Sequence, residues 1–249
     1  MKSFEYELDN IKETLMEMLD LVRDQIHLSK EAMLVNDHEV SFEIISKEKR
    51  VNSFELSIER DCEDFLTLKA PVAADLRLTI AMLKISSCLE RIGDHAYGIS
   101  SFVFDDLMTI NKKLVEILHI PSMFDQIDEM FENISEAFDI GDASKMKKVF
   151  KQDKVLDKIY KKVPALMDEY LKENKDSINN VILISRTIGK LERVGDLLKN
   201  IAEEIIFYYE SKVIRHKKKN KHIDKKLKLA SEIAEQEADQ EADKEKKAE

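Results

Sequence analysis

Two acidic pairs recur in this chain at a fixed spacing. Glu90 and Asp94 lie in LERIGDHAYGIS (89–100), and Glu192 and Asp196 lie in LERVGDLLKNIA (191–202). Leu, Glu, Arg, Gly and Asp return at the same places 102 residues later, which marks an internal duplication. Carboxylates four apart on a helix stack on one face, near enough to share a cation. In the second copy the polar stripe continues through Lys199, Asn200 and Glu203 beside an apolar seam of Leu191, Leu198, Ile201 and Ile205. Oxygen ligands spaced in this way suit Mg²⁺, Mn²⁺ or iron, with carboxylates of a neighbouring helix completing the shell. Asp153 and Asp157, again four apart, offer that in the second half; Glu48, Glu55 and Glu59 offer it in the first.

A plainer reading stands beside this one. Among 50 acidic residues, pairs four apart are frequent and usually form a solvated face, and Arg91 and Arg193 supply ion pairs without any metal. The duplicated frame weighs against coincidence. Its glycines, Gly93 and Gly195, cost a helix interior about 1 kcal/mol each, which points to close approach of a neighbouring helix. His95 follows Asp94 as a further candidate ligand, but the second copy has Leu197 there. No Ser/His/Asp or Cys/His set, glycine-rich phosphate loop or HExxH occurs, so the chain is expected not to be an enzyme.

The elements that position these residues are helices. Five glycines and three prolines in 249 residues are too few to punctuate a β-rich fold, and 36% of the chain is charged. Leu8, Ile11, Leu15, Met18 and Val22 set a first amphipathic helix over about 3–35. Asp37 caps a second, through Val40, Ile44, Val51, Phe54 and Ile58 to about Lys69. Pro71 opens a third, carrying Leu76, Ile80, Leu83, the Glu90–Asp94 pair and Ile99 to about Leu107. After a connector over 107–120, Pro121 starts a fourth through Phe124, Ile127, Met130, Phe131 and Phe138, closed by Gly141. Asp142 starts the fifth, through Val149, Leu156, Ile159, Val163 and Leu166, with Pro164 as a kink point. Residues 174–176 break it from the sixth, through Ile184, Ile188, Leu191 and Leu198 to beyond Tyr209. The expected fold is all-α: two tandem three-helix bundles, 1–107 and 108–216, and a charged tail, 217–249.

Charge and cysteine usage narrow the setting. Residues 1–210 hold 28 Lys/Arg against 41 Asp/Glu, which argues against a nucleic-acid partner. Lys212 to Lys228 reverses this with nine Lys/Arg and one Asp; a solubilising tail or a helix touching anionic lipid fits it. Cys62 and Cys88 lack metal-site spacing and are expected as reduced core residues. No run of about 18 apolar residues spans a membrane, and MKSFEYELDN is acidic where a signal peptide is basic, so a cytoplasmic location is expected.

LERIGDHA, the preceding PVAADLR (71–77) and the second copy LERVGDLLKNIAEEIIFYYE resemble the PhoU family, as do QDKVLDKIY (152–160) and VIRH (213–216). The resemblance covers about Phe4 to His216. It implies two tandem three-helix bundles and a cytoplasmic repressor of the phosphate-starvation response. The implied partners are a sensor histidine kinase and the ATPase subunit of the phosphate ABC transporter, with any membrane association peripheral and through that transporter. It also implies iron, zinc, manganese or magnesium, held in clusters by Glu90/Asp94 and Glu192/Asp196 with Asp153 and Asp157 on the preceding helix, and a homodimer. The Asn-Ile-Ala-Glu continuation at Asn200 to Glu203 becomes Gly98-Ile99-Ser100-Ser101 in the first copy. Lys47-Glu48 stands where an aspartate is usual, and Asn52 where the second half has Asp157. The second site is therefore expected to be the fuller one.

Three other functions stand beside this one. A di-metal carboxylate enzyme or metal store needs Glu-x-x-His pairs, and glycine follows both Glu90 and Glu192 by three. A metal-free helical adaptor and a PhoU-like module regulating a sodium/phosphate cotransporter keep the same fold.

Overall fold

The apolar seams wind into helices because three- and four-residue spacing gathers them on one face of a 3.6-residue turn. The computed structural model describes residues 2–105, 111–175 and 178–211. In chain order the helices are α1 (Lys2–Val35), α2 (His38–Lys69), α3 (Ala73–Phe104), α4 (Lys112–Ile117), α5 (Ile120–Ile140), α6 (Met146–Glu173) and α7 (Ile178–Glu210), with a 3₁₀ turn over Ala143–Lys145 before α6. No strand occurs among the described residues.

The breaks follow local chemistry. Asp37 Oδ1 accepts from the backbone N–H of Glu39 at 2.9 Å and of Val40 at 3.0 Å, capping α2. Gly141 ends α5 at φ 72°, and Pro121 sits in the first turn of that helix. Pro71 does not open α3 as expected. Ala70 ends α2 in the left-handed region, and an extended Val72 precedes the first helical residue, Ala73. Pro164 lies within an unbroken α6. The expected connector contains α4, which Asn111 caps through its side chain; residues 106–110 and the expected tail, 217–249, lie outside the described residues.

Helices α1, α2 and α3 pack as one bundle and α5, α6 and α7 as another; α3 lies against α7 and α1 against α5. Residues 1–212 thereby form one compact unit. The expected seams of α1, α5 and α7 are buried throughout. In α3, Leu76 is exposed and the buried stripe instead includes Leu78, Met82, Ile85, Leu89, Ile92 and Ile99. Burying each such side chain contributes roughly 1.5–3 kcal/mol. Polar links also cross between bundles: Arg23 Nε to Asp128 Oδ1 at 2.8 Å, Lys30 Nζ to Asp125 Oδ1 at 2.6 Å, and Lys84 Nζ to Glu204 Oε2 at 3.1 Å. Cys62 and Cys88 are free and buried.

Candidate metal centres

Each acidic pair sits on the helix of its bundle that meets the other bundle, α3 or α7, and faces carboxylates from the preceding long helix. Gly93 lets the first set close up. A Cβ there would lie 3.2 Å from Gln25 Oε1 of α1, 3.2 Å from Val51 Cγ1 of α2 and 3.4 Å from Glu48 Oε2. Gln25 donates to the carbonyl of Ile44 at 3.3 Å, but its Oε1 and both oxygens of Glu48 are buried without a hydrogen-bond partner. Burial, then the charges of Asp94 and Glu90, raise the Glu48 carboxyl to about 7; the amides of Gln25 and Asn52 oppose this without forming well-made hydrogen bonds. Glu90 is raised by burial and then by Asp94 and Glu55, and Glu55 by burial and then by Glu59, with Asp94 adding. Glu48, Glu55, Glu90 and Asp94 therefore form a mutually repelling set.

The second set has its own cation. Lys199 Nζ donates to Asp153 Oδ1 at 3.0 Å and Oδ2 at 3.1 Å, and it also pairs with Asp196 Oδ1. Asp153 is 7% exposed, and burial raises its carboxyl despite the attraction of Lys199. For Lys199, burial lowers the ammonium, but the pairing with Asp196 and Asp153 outweighs it and the net shift is upward. Glu192 is raised by burial, then by Asp196 and Asp157. The structure thus brings Asp153, Asp157, Glu192 and Asp196 together around an ammonium. Asn200 and Glu203 lie one and two turns beyond Asp196, both half-buried. A Cβ on Gly195 would overlap Leu156 Cδ1 of α6, so an apolar side chain fills the place where Gln25 and Glu48 face Gly93.

His95 takes the opposite side of the motif. It is half-buried, and burial followed by the cations Lys190, Arg193 and Arg91 lowers its pKa to about 4, so the ring is neutral. Gln25 is the residue that sequence reasoning missed. Its only local signal is a glutamine in an otherwise apolar position of the α1 seam.

The donor types in both halves suit a hard cation. As placed, among the described residues no group of three Asp, Glu, His or Cys side chains is gathered closely enough to hold one. The three unpartnered oxygens at Gly93 give the first half the better fit, because they have lost water without gaining a donor. In the second half Lys199 already occupies the position between Asp153 and Asp196.

Fold and site together define an all-helical protein built from two copies of a three-helix unit, each with a carboxylate cluster on its innermost helix. A model of the PhoU domain matches residues 15–103 and 120–205, once in each half. The chain belongs to the PhoU family. It is 29% identical over 224 residues to the phosphate-specific transport system accessory protein PhoU homolog of Zymomonas mobilis, covering 89% of this chain and 93% of that one. The corresponding homolog of Borreliella burgdorferi is 31% identical over 205 residues, 81% of this chain and 92% of the relative. Among solved structures, PhoU from Pseudomonas aeruginosa superposes with a TM-score of 0.77 at 27% identity, over 84% of this chain and 100% of that one. The phosphate transport system regulatory protein PhoU from Streptococcus pneumoniae gives 0.73 at 28%, over 85% and 99%.

Proposed function

We propose that this chain is an accessory protein of a phosphate transport system that represses the phosphate-starvation response through protein contacts. Its partners in this reading are a sensor histidine kinase and the ATPase subunit of the phosphate ABC transporter. Metal ions at the carboxylate clusters stiffen the bundles that make those contacts. The family membership and the relatives' roles in phosphate-specific transport support the first part. No helix among the described residues is long and apolar enough to cross a membrane, in keeping with a peripheral role beside the transporter.

The metal part is carried by one observation, the three buried, unpartnered oxygens of Gln25 and Glu48 beside Gly93. A bound divalent or ferric ion would supply the positive charge that Glu48, Glu55, Glu90 and Asp94 lack. Glu48 and Gln25 anchor the inner side of that cluster, and Glu90 and Asp94 close it from α3. For the second half the metal-free alternative has its own support, since Lys199 neutralises Asp153 and Asp196 without any metal.

Two measurements test this reading. In a bacterium lacking its own PhoU-family gene, the chain is expected to restore repression of a phosphate-starvation reporter in phosphate-rich medium and to capture the kinase and the ATPase. Constitutive expression together with capture of neither would remove the regulatory reading. Elemental analysis is the second: metal bound by the wild type should fall on Glu90→Ala/Asp94→Ala and fall further when Glu48→Gln is added. Wild type without metal, after growth in ample iron, zinc and manganese, refutes the metal part alone.

A further inference from the structure

The duplicated frame puts its leucine in the core, its glutamate and aspartate in the carboxylate cluster and its glycine at a close approach. Its arginine has no such place. Arg91 and Arg193 are exposed, and among the described residues neither forms a hydrogen bond or an ion pair, although Glu90 and Glu192 directly precede them. Both arginines border the seam where α3 lies against α7.

Two contacts fix how these helices pass each other. Lys84 Nζ meets Glu204 Oε2 at 3.1 Å, and Lys190 lies over Gly98 so closely that a Cβ there would overlap its Nζ. Fourteen residues forward on α3 correspond to fourteen back on α7, so the helices run antiparallel and in step. His95 therefore stands level with Arg193, and Arg91 lies about one turn along the seam. Arg91, His95, Gly98 and Phe102 share one face of α3, and Lys190 and Arg193 one face of α7.

Lys190 is the unusual member. It is half-buried, its Nζ sits 5.9 Å from the centre of the Phe102 ring, and among the described residues no carboxylate pairs with it. Burial and then Arg193 lower its pKa, with Asp94 opposing. Gly98 makes its seat. The second copy has Asn200 at that place, and the first has Cys88 where Lys190 stands, so this seat is built once.

We infer that the α3–α7 seam binds a tetrahedral oxyanion of the inorganic phosphate type, with Lys190 beneath it and Arg91 and Arg193 closing on it from the two helices. The planar arginine forks match pairs of oxygens on such an anion, and the ammonium adds a compact charge. Asp94 borders the seam, while Glu90 and Glu192 belong to the clusters on the other side of the motif. Three cations against Asp94 leave the seam positive on a chain whose net charge is −10. A small dianion is favoured over an acidic helix or a duplex because the ammonium lies in a notch one glycine wide beside the exposed Asp94, which a long polyanion would meet. The inference stands apart from the regulatory reading and from metal at the carboxylate clusters, since its test reads binding to the purified chain.

Isothermal titration of the full-length chain with inorganic phosphate, at pH 8 in about 50 mM NaCl, tests this. The wild type is expected to bind one phosphate with a dissociation constant of about 1 mM or tighter. Lys190→Met/Arg193→Gln should weaken binding at least about ten-fold. Lys154→Met/Lys158→Met, which removes the same charge from the exposed face of α6, should stay within about two-fold of wild type. Sulfate should displace the phosphate, and acetate at about ten times the concentration should not. A circular-dichroism melt checks folding; if the double variant does not fold, Arg91→Gln, at an exposed position, should still weaken binding at least about three-fold. A wild type that binds no phosphate overturns the inference, as does equal weakening by the α6 variant or displacement by acetate. Binding that appears only when about 1 mM Mn²⁺ is added also overturns it, because the anion then belongs to a metal at the carboxylates.

Discussion

Replacing Glu48 by glutamine removes a buried charge and keeps the shape of the side chain, so its effect on stability should depend on pH. Burial, with Asp94 and Glu90, moves this carboxyl from 4.5 to about 7. Below about pH 4.5 it is protonated in both the folded and the unfolded chain, and the substitution changes little. Between 4.5 and 7 the unfolded chain releases the proton while the folded chain keeps it, so wild-type stability falls as pH rises. Above 7 the full penalty applies. That displacement corresponds to roughly 3 kcal/mol at 1.36 kcal/mol per pH unit. Glu48 is only half-buried and Asp94 is exposed, so solvent screening reduces it to about 1–2 kcal/mol. In urea unfolding followed by far-ultraviolet circular dichroism, the Gln variant should match wild type near pH 4.5 and exceed it by about 1–2 kcal/mol at pH 8. Added Mn²⁺ should narrow that gap by stabilising wild type more than the variant. A variant less stable than wild type at pH 8, or a difference that is the same at both pH values, would refute the account of Glu48 as an unpaired buried charge.

Other consequences follow from the same geometry. Lys199→Met leaves Asp153 buried beside three carboxylates; breaking a buried pair costs about 3–5 kcal/mol, reduced here to about 2 because the Lys199 and Asp196 side chains are 28% and 48% exposed. Chemical denaturation at pH 8 should show that loss, shrinking towards pH 4 as the carboxylates protonate. The same variant should bind divalent cation more tightly than wild type in the second half, since the resident ammonium is gone; isothermal titration with Mn²⁺ in a Glu90→Ala/Asp94→Ala background checks it. The two motif glycines should respond differently to alanine. Gly195→Ala should cost about 1 kcal/mol, because overpacking against Leu156, about 1–3 kcal/mol, exceeds the helix-propensity gain of about 1. Gly93→Ala meets its neighbours at 3.2 Å and should stay within about 0.5 kcal/mol of wild type in thermal melts.

Much of this molecule was legible in the chain itself, and the legible part is local. Helix periodicity, the Asp37 cap, the Gly141 stop and the duplicated Glu-x-x-x-Asp frame each depend on residues within a turn or two of one another, so spacing alone carries them. The apolar seams of α1, α5 and α7 are buried as their spacing implied. Leu76 and Pro71 departed from expectation where the chain enters α3, because the turn after Ala70 delays that helix to Ala73.

What only the tertiary structure decided is how the helices are rotated against one another. Departures of the first half from the PhoU pattern favoured the second acidic set as the fuller metal site. The fold places Lys199 between Asp153 and Asp196 and leaves Glu48 facing Glu90 and Asp94 with its oxygens unpaired. That difference arises from contacts across helices: Gln25 lies 68 residues from Gly93 in the chain, and Asp153 lies 46 residues from Lys199. The fold decides which side of α6 faces out, because packing on α5 and α7 buries the opposite side, including Val149, Leu156 and Val163. Periodicity fixes what shares a face of a helix; only packing fixes what that face meets.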